Sequence, residues 1–152
     1  MSENIVNIDN IILLIVYHAN ANNVPVDQEI VQSTIYFLQK KKTFKFIDNI
    51  SGQFLDFNFR KIPITNKFRK VSLFYSSLVY FSIMNLMSLN FLDCRTTAHR
   101  CSNQITLTHK STFLLTRDGN TIVDNLLKNR VYKKHYKKIK NLMRMLITIQ
   151  YL

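Results

Sequence analysis

Glycine and proline are scarce in this sequence, with only two of each among 152 residues. Phosphate-binding loops and dinucleotide-binding turns need closely spaced glycines, so both are excluded. A barrel or a sandwich would need many tight turns, and those turns would need more Gly and Pro. Two cysteines are too few for a disulfide scaffold. These shortages exclude most enzyme classes, and a chain of this length suits a single hydrophobic core.

Acidic residues are also scarce, but only in one part of the chain. Residues 1–59 have four basic and six acidic side chains, whereas residues 60–152 have seventeen basic and three acidic ones. From Lys128 to Arg144 there are eight basic residues and no acidic one. AT-rich codon usage would raise Lys, Asn and Ile together, but it would not remove acids from one part alone. The net charge of +12 therefore predicts an anionic partner, nucleic acid or an acidic membrane, contacted mainly by the second half.

Signals for secretion or membrane insertion are weak. The first ten residues are polar and slightly acidic, unlike the basic start of a signal peptide. Residues 71–92 carry no charge and are long enough to span a bilayer, but they include five Ser and two Asn. Polar side chains need partners in lipid, so a buried helix is the better interpretation and a membrane partner is not favoured. We expect a cytoplasmic protein, associated with the nucleoid if it binds DNA.

The first third of the chain predicts two helices and an extended region. An amphipathic helix is indicated by apolar residues at i, i+3, i+4, i+7, i+8 and i+11, namely Ile8, Ile11, Ile12, Ile15, Val16 and Ala19. Asp27 is the predicted N-cap of a second helix that runs to about Lys41. Residues 43–65 alternate between aromatic and polar side chains and predict short extended pieces around a turn at residues 51–52. Pro63 is predicted to end this region.

The middle of the chain predicts a third helix followed by a hairpin. Residues 67–89 are predicted to be helical, with a break near residues 76–77 where serine could cap a fresh helix. Residues 91–94 predict a strand, residues 95–103 a polar loop, and Ile105, Leu107, Phe113 and Leu115 further strand positions. Residues 116–119 predict a corner that leads into another helix, with Ile122, Val123, Leu126 and Leu127 on its apolar side.

The last segment, residues 131–152, predicts a helix with two parallel stripes. A heptad seam, expected to mediate dimerisation, follows the spacing 4-3-4-3-4 at Tyr132, Tyr136, Ile139, Met143, Leu146 and Gln150. A basic stripe runs beside it at Lys133, Lys137, Lys140 and Arg144. A seam needs a partner helix, which is either the chain's own first helix or the same helix of a second copy. We divide the chain into residues 1–128 and a basic helix at residues 129–152.

The order of these elements and two short motifs resemble winged-helix regulators. Residues 77–92 resemble the third helix of that fold, which ends in a leucine before a short break and a strand. Residues 113–119, Phe-Leu-Leu-Thr-Arg-Asp-Gly, resemble the aromatic-x-Leu-Thr-x-x-Gly motif at the end of the wing in MarR- and PadR-like regulators. The predicted helix pair within residues 11–38 is similar to the opening of small archaeal and viral winged-helix proteins. The expected fold is mostly α with a small β-hairpin wing, a winged helix-turn-helix with an added C-terminal helix.

The resemblance implies a non-enzymatic regulator of transcription that binds double-stranded DNA as a homodimer, without a cofactor. Its third helix would enter the major groove and its hairpin would follow the backbone. Around the third helix the expected contacts are Lys67, Arg69, Lys70, Ser76, Ser77 and Tyr80. From the wing they are Arg95, Arg100 and Lys110, and from the terminal helix Lys133, Lys137, Lys140 and Arg144.

One feature favours a different function on the same scaffold. Base edges are read mainly by Arg, Lys, Asn and Gln, yet residues 71–92 contain no Arg, Lys or Gln. The surrounding basic residues suit phosphates better than bases, so binding is expected to be salt-sensitive and largely independent of sequence. The alternative is a protein-interaction module whose apolar third helix docks a partner protein.

Metal and catalytic chemistry have little support in the sequence. Cys94, His99, Cys101 and His109 could supply the two Cys and two His of a zinc site, but their spacing is not that of common zinc motifs. A Cys94–Cys101 disulfide and a pair of free thiols are the other interpretations, and free thiols are favoured. No nucleophile and base are paired by any motif. We expect His18 to be a packed or capping residue, His135 to be solvated, and the aromatic residues of the extended region to lie in the core.

Overall fold

The fold was obtained as a computed structural model, which describes residues 4–48, 50–66, 69–100 and 107–151. Side chains are described in these ranges except at residues 63–66, 69–73, 96–100, 107–110 and 147–151. The elements in chain order are β1 Ile5–Asn7, α1 Ile8–Ala21, α2 Gln28–Lys40, β2 Lys45–Ile47, β3 Arg60–Asn66, β4 Arg69–Tyr75, α3 Ser77–Ser88, β5 Leu92–Arg100, β6 Leu107–Leu115, α4 Arg117–Leu127 and α5 Arg130–Tyr151. The described residues thus form an α+β fold with five helices and three two-stranded sheets.

Helix α1 lies at the centre of the helical core and contacts all four other helices. The six residues 11–16 are all buried, including Leu13 and Leu14, which fall outside the predicted apolar stripe. The predicted apolar stripe was therefore too narrow, because other parts of the chain cover nearly every side of this helix. The continuous apolar run of residues 11–16 was the available signal, because a helix that is apolar all round is a buried helix.

Helix α2 confirms the predicted cap and length. The Asp27 side chain accepts a hydrogen bond from the Ile30 backbone N–H at 3.0 Å, as an N-cap carboxylate does. The helix buries Ile30, Val31, Ile35 and Leu38. After α2 the chain returns to the start of α1, where β2 pairs in parallel with β1 and places Phe46 opposite Val6. The extended region beyond it is short, with one antiparallel bridge between Ile47 and Phe54.

The prediction of a helix over residues 67–89 is wrong in its first part. Residues 69–75 form β4, which pairs antiparallel with β3, and the helix begins only at Ser77. Pro63 was predicted to end the extended region, but it lies inside β3 opposite Ser72. A two-stranded hairpin tolerates proline because each strand has an unpaired edge. The hairpin packs on α2, where the rings of Phe74 and Tyr36 stack with centroids 3.8 Å apart.

A second hairpin, β5–β6, follows α3 directly. Its ladder runs from Leu92 opposite Leu115 to Arg100 opposite Leu107. Residues 95–100, predicted to be loop, therefore belong to β5. The polar sequence of these residues gave no indication of a strand. A strand that is held by backbone pairing with its neighbour does not need an apolar face. Ile105 and the other residues of 101–106 lie outside the described part of the chain.

Asn20 anchors this hairpin to the end of α1. Its Oδ1 accepts from the Leu115 backbone N–H at 2.9 Å, and its Nδ2 donates to the Phe113 carbonyl at 3.2 Å. Just before these two bonds along β6, the Phe113 N–H donates to the Val26 carbonyl at 2.8 Å. The outer edge of β6 is thus paired by one side-chain amide and one backbone group. The predicted corner at residues 116–119 is confirmed, because the Thr116 hydroxyl caps α4 by accepting from the Gly119 N–H at 3.0 Å.

Helix α5 completes the core and is not separate from the preceding residues. It packs against α1, α2 and α4, and Ile139 and Met143 belong to the same buried cluster as α1. The predicted boundary at residue 128 therefore falls between two helices of one core. Within the described residues, no helix is both long and apolar enough to cross a membrane.

Candidate nucleic-acid interface

The orientation of α5 is set by its heptad seam. Ile139 and Met143 are fully buried against the rest of the chain, and Leu146 is partly buried there. The seam also makes two polar contacts with α1. The Tyr132 hydroxyl accepts from Asn10 Nδ2 at 3.0 Å, and the Tyr136 hydroxyl lies 3.2 Å from His18 Nδ1. Of the two partner helices considered for the seam, the structure places the chain's own first helix, α1, against Tyr132 and Tyr136.

The contact between His18 and Tyr136 is enclosed and uncharged at neutral pH. Burial lowers the pKa of His18 below its usual value of 6.5, and the nearby Lys140 and Arg144 lower it further. Burial also raises the pKa of Tyr136 above 10.0, with a smaller contribution from Tyr17. Both rings therefore keep their neutral forms. The prediction that His18 is a packed histidine is confirmed, because its side chain is buried.

The packing of the seam directs the basic side chains away from the core. Residues on an α-helix advance by about 100° each, so positions 133, 137 and 144 lie roughly 100–140° around the helix from Tyr132 in the seam. We define the basic face of α5 as five exposed residues: Lys133, Lys134, Lys137, Lys138 and Arg144. Lys140 is half-buried at its edge. Helix α5 contains no acidic residue, so no carboxylate within the helix offsets this charge.

Two members of this face were not among the predicted contacts. Lys134 and Lys138 each follow a predicted lysine, and the pairs Lys133-Lys134 and Lys137-Lys138 were the signal that could have found them. The Lys138 ammonium lies 5.9 Å from the centroid of the Phe44 ring, within the range of a cation–π contact. This contact holds the lysine at the edge of the face.

His135 was predicted to be solvated, and this is wrong. Its side chain is buried, with its ring centroid 4.9 Å from that of Phe44 and 5.5 Å from that of Tyr132. The reason is its position one turn before Ile139, on the border of the seam. A histidine inside a run of lysines is easily assigned to the same surface, although its spacing from Ile139 indicates the core.

The predicted DNA contacts around α3 differ in how exposed they are. Ser76 is buried and uses its hydroxyl to donate to the Phe57 carbonyl, which excludes it from contact with DNA. Ser77 is exposed, and Tyr80 is half-buried between the rings of Tyr75 and Phe81. The exposed surface of α3 carries no charge, so it lacks the Arg and Lys side chains that read guanine, although Asn85 is exposed there.

The remaining predicted contacts lie on the two hairpins. Arg95 is exposed on β5, opposite Thr112. Arg100 and Lys110 lie in the same ladder, with Lys110 two residue pairs along from Arg95, but their side chains fall outside the described part. Arg69 and Lys70 open β4, again without described side chains, and Lys67 lies outside the described residues.

No potential metal site forms among the residues that the structure describes. Cys94 is a half-buried free thiol. Cys101 and the side chains of His99 and His109 lie outside the described part, so neither the zinc site nor the disulfide is tested. No protein-family model matches the sequence, and no curated protein or solved structure shows significant similarity to it.

Proposed function

We propose that this protein is a winged-helix regulator of transcription that binds duplex DNA through the basic face of α5, mainly by phosphate contacts. The observation that carries the proposal is the arrangement of five exposed basic side chains on the side of α5 opposite the core. Lys133 and Arg144 are separated by about 16 Å along the helix axis, given a rise of 1.5 Å per residue. Laid along the duplex axis, that length matches several phosphates of one strand, which advance by about 3.4 Å each along the axis.

The winged-helix assignment is supported by element order. Helices α1, α2 and α3 all come before the hairpin β5–β6, and α3 leads directly into it, as the resemblance implies. The hydrogen bond between Phe113 and Val26 joins this hairpin to the segment between α1 and α2. The departure lies between α2 and α3. A helix-turn-helix has a tight turn of about four residues there, whereas this chain has β2, β3 and β4 within residues 41–76. The role in transcription rests on the sequence resemblance alone.

Binding is expected to be independent of base sequence. Phosphate contacts position a protein on DNA, whereas groove contacts from groups such as Arg and Asn specify the site. On the described outer surface of α3, Asn85 is the exposed side chain best suited to a base, and apolar residues surround it. Arg95 on the hairpin adds a further exposed cation. Ile139 and Met143 of the α5 seam are fully buried within the chain, so we assign neither of them to a homodimer interface.

The test is the salt dependence of binding to random and genomic duplexes, followed by fluorescence anisotropy. The triple variant Lys133→Gln, Lys137→Gln, Arg144→Gln should bind more weakly. Its slope of log K against log salt should fall by about 0.9 for each lost phosphate contact, or up to about 2.7 in total.

A matched triple variant separates a local interface from net charge. Lys45, Arg60 and Lys61 are exposed and lie on β2 and β3, so none of them belongs to α5. Changing all three to Gln removes the same charge and should change the slope much less. An equal loss in both triple variants would show that binding follows net charge and not the basic face. Absence of binding at low salt would overturn the proposal, and tight binding to one duplex only would overturn its sequence independence.

A further inference from the structure

The outer side of α3 exposes large apolar side chains among polar ones, although this helix already supplies a full inner face to the core. Val79, Ile83 and Leu86 are buried on the inner side. On the outer side, Phe81 is 64 % exposed and Leu89 is 53 % exposed. Single exposed apolar residues are ordinary, but a contiguous apolar surface marks an interaction site.

The exposed apolar side chains on the outer side of α3 form one wall of a groove. The other walls come from the start of α1 and from the turn after β2, where Ile50 and Leu55 lie. Ile50 is 96 % exposed, so its side chain gains almost nothing from packing within the chain. The groove has a volume of about 450 Å³. Leu78, Phe81 and Leu89 line it along the length of α3. We call this site the α3 groove.

The charge of the α3 groove is opposite to that of the whole chain. Its two charged lining residues are Asp9 and Asp48, and no described basic side chain lines it, in a chain of net charge +12. The two carboxylates interact, because Asp48 contributes to a pKa of Asp9 above its usual value of 3.8, after the larger effect of burial. Two close carboxylates beside an apolar surface favour a ligand that supplies both apolar side chains and a cation.

We infer that the α3 groove binds an amphipathic helix of another protein, with apolar residues on one face and Lys or Arg beside them. Amphipathic helices bind apolar grooves through anchors at i, i+3, i+4 and i+7 of the docking helix. On the α3 side of the groove, the apolar residues Leu78, Phe81 and Leu89 alternate with Ser82 and Asn85. DNA is excluded by the two carboxylates. The basic amphipathic helix of a second copy, α5, is also excluded, since Ile139 and Met143 on its apolar face are fully buried within its own core. This inference does not depend on the proposed DNA binding.

The probe is a synthetic amphipathic peptide of about 18 residues made of Leu and Lys, compared with one in which every Lys is Glu. Binding to the full chain is followed by fluorescence anisotropy with a dye on the peptide. General electrostatics would favour the acidic peptide, because the chain has a net charge of +12. Tighter binding of the basic peptide would therefore occur against the net charge of the chain, and it is the result that we expect.

Three variants locate the site. Phe81→Ser should weaken the basic peptide about tenfold or more, as loss of an aromatic anchor does. Phe54→Ser is the matched control, since Phe54 has nearly the same exposure, 65 %, but does not line the groove. The pair Asp9→Asn, Asp48→Asn should weaken the basic peptide at low salt and have less effect at high salt. Because Phe81 is exposed, its replacement should leave the unfolding temperature unchanged, which separates lost binding from lost folding.

Several results would overturn the inference. Equal or tighter binding of the Glu peptide would show that the carboxylates do not select a cation. An undiminished affinity in Phe81→Ser would place the peptide elsewhere. Sedimentation velocity of the chain alone provides a further check, because a dimer lost in Phe81→Ser would make the groove a contact between copies. DNA affinity should be the same in Phe81→Ser and the unmodified chain, so failure here is distinguishable from failure of the proposed function.

Discussion

The side-chain amide of Gln32 pairs with both backbone groups of Ser76. Its Oε1 accepts from the Ser76 N–H at 2.9 Å, and its Nε2 donates to the Ser76 carbonyl at 3.1 Å. Both residues are buried, and they lie 44 positions apart in the chain. These two hydrogen bonds are of the kind that a neighbouring β-strand would make with the Ser76 backbone. They hold the start of α3 against α2.

Replacing Gln32 with Leu should lower the free energy of unfolding by about 2 kcal/mol. The Ser76 N–H would then be buried without an acceptor, whereas its carbonyl would keep the bond from the Tyr80 N–H. Urea unfolding followed by circular dichroism measures the change. Gln39→Leu on the same helix is the control for helix propensity and should change stability by less than about 0.5 kcal/mol. Equal effects of the two substitutions would contradict the role of the amide pair.

Gly119 is required by close contact at the start of α4. A Cβ atom at this position would overlap the carbonyl oxygen of Phe91 and lie 3.2 Å from Leu115 Cδ2. The first atom is backbone, so the corner between β6 and α4 would have to move. Gly119→Ala should therefore destabilise the protein by about 2 kcal/mol, the scale of overpacked sites.

The matched control for this prediction is Gly52→Ala. Gly52 has a φ of +69°, but a Cβ atom added there would meet no other atom within 4 Å, so only backbone strain of about 1 kcal/mol is expected. Thermal unfolding of both variants ranks the two costs. A larger loss at Gly52 than at Gly119 would show that the corner yields easily to the added atom.

Acid should weaken the contact between α1 and α5. The folded-state pKa of His18 lies below 6.5 because of burial and the charges of Lys140 and Arg144, so the folded state binds a proton less readily than the unfolded state. Its contribution to stability is therefore complete above pH 6.5 and is lost as the pH falls through the folded-state pKa. Urea midpoints measured above and below pH 6.5 should differ in that direction. His18→Gln should have a smaller difference, and an identical pH dependence would assign the effect to other groups.

The sequence predicted best those features that depend on spacing along one element. The seam and basic stripe of α5, the Asp27 cap and the corner at Thr116 each follow from neighbours within a turn or two, and each lies where predicted. The two hairpins show the limit. The uncharged residues of β4 suit a buried helix equally well, and only pairing with β3 and stacking of Phe74 on Tyr36 decide the outcome.

The candidate sites were predicted in part for the same reason. The charge of α5 was visible in the sequence, but the burial of Ser76 depends on Gln32 and Phe57, which are distant in the chain. The apolar character of α3 was also visible, whereas the acidic side of its groove was not. Asp9 and Asp48 are brought together by the parallel pairing of β1 with β2, and such pairing cannot be read from local spacing.

The central position of α1 has a consequence for how the chain is made. This helix is synthesised before α5, and its bonds to α5 through Asn10 and His18 join residues 122 and 118 positions apart. At a translation rate of about 5–20 residues per second, this separation corresponds to roughly 6–24 s. During that interval the apolar run of residues 11–16 lacks its cover from α5, so the nascent chain exposes a surface of the kind that chaperones bind. Synthesis of α5 supplies this missing cover.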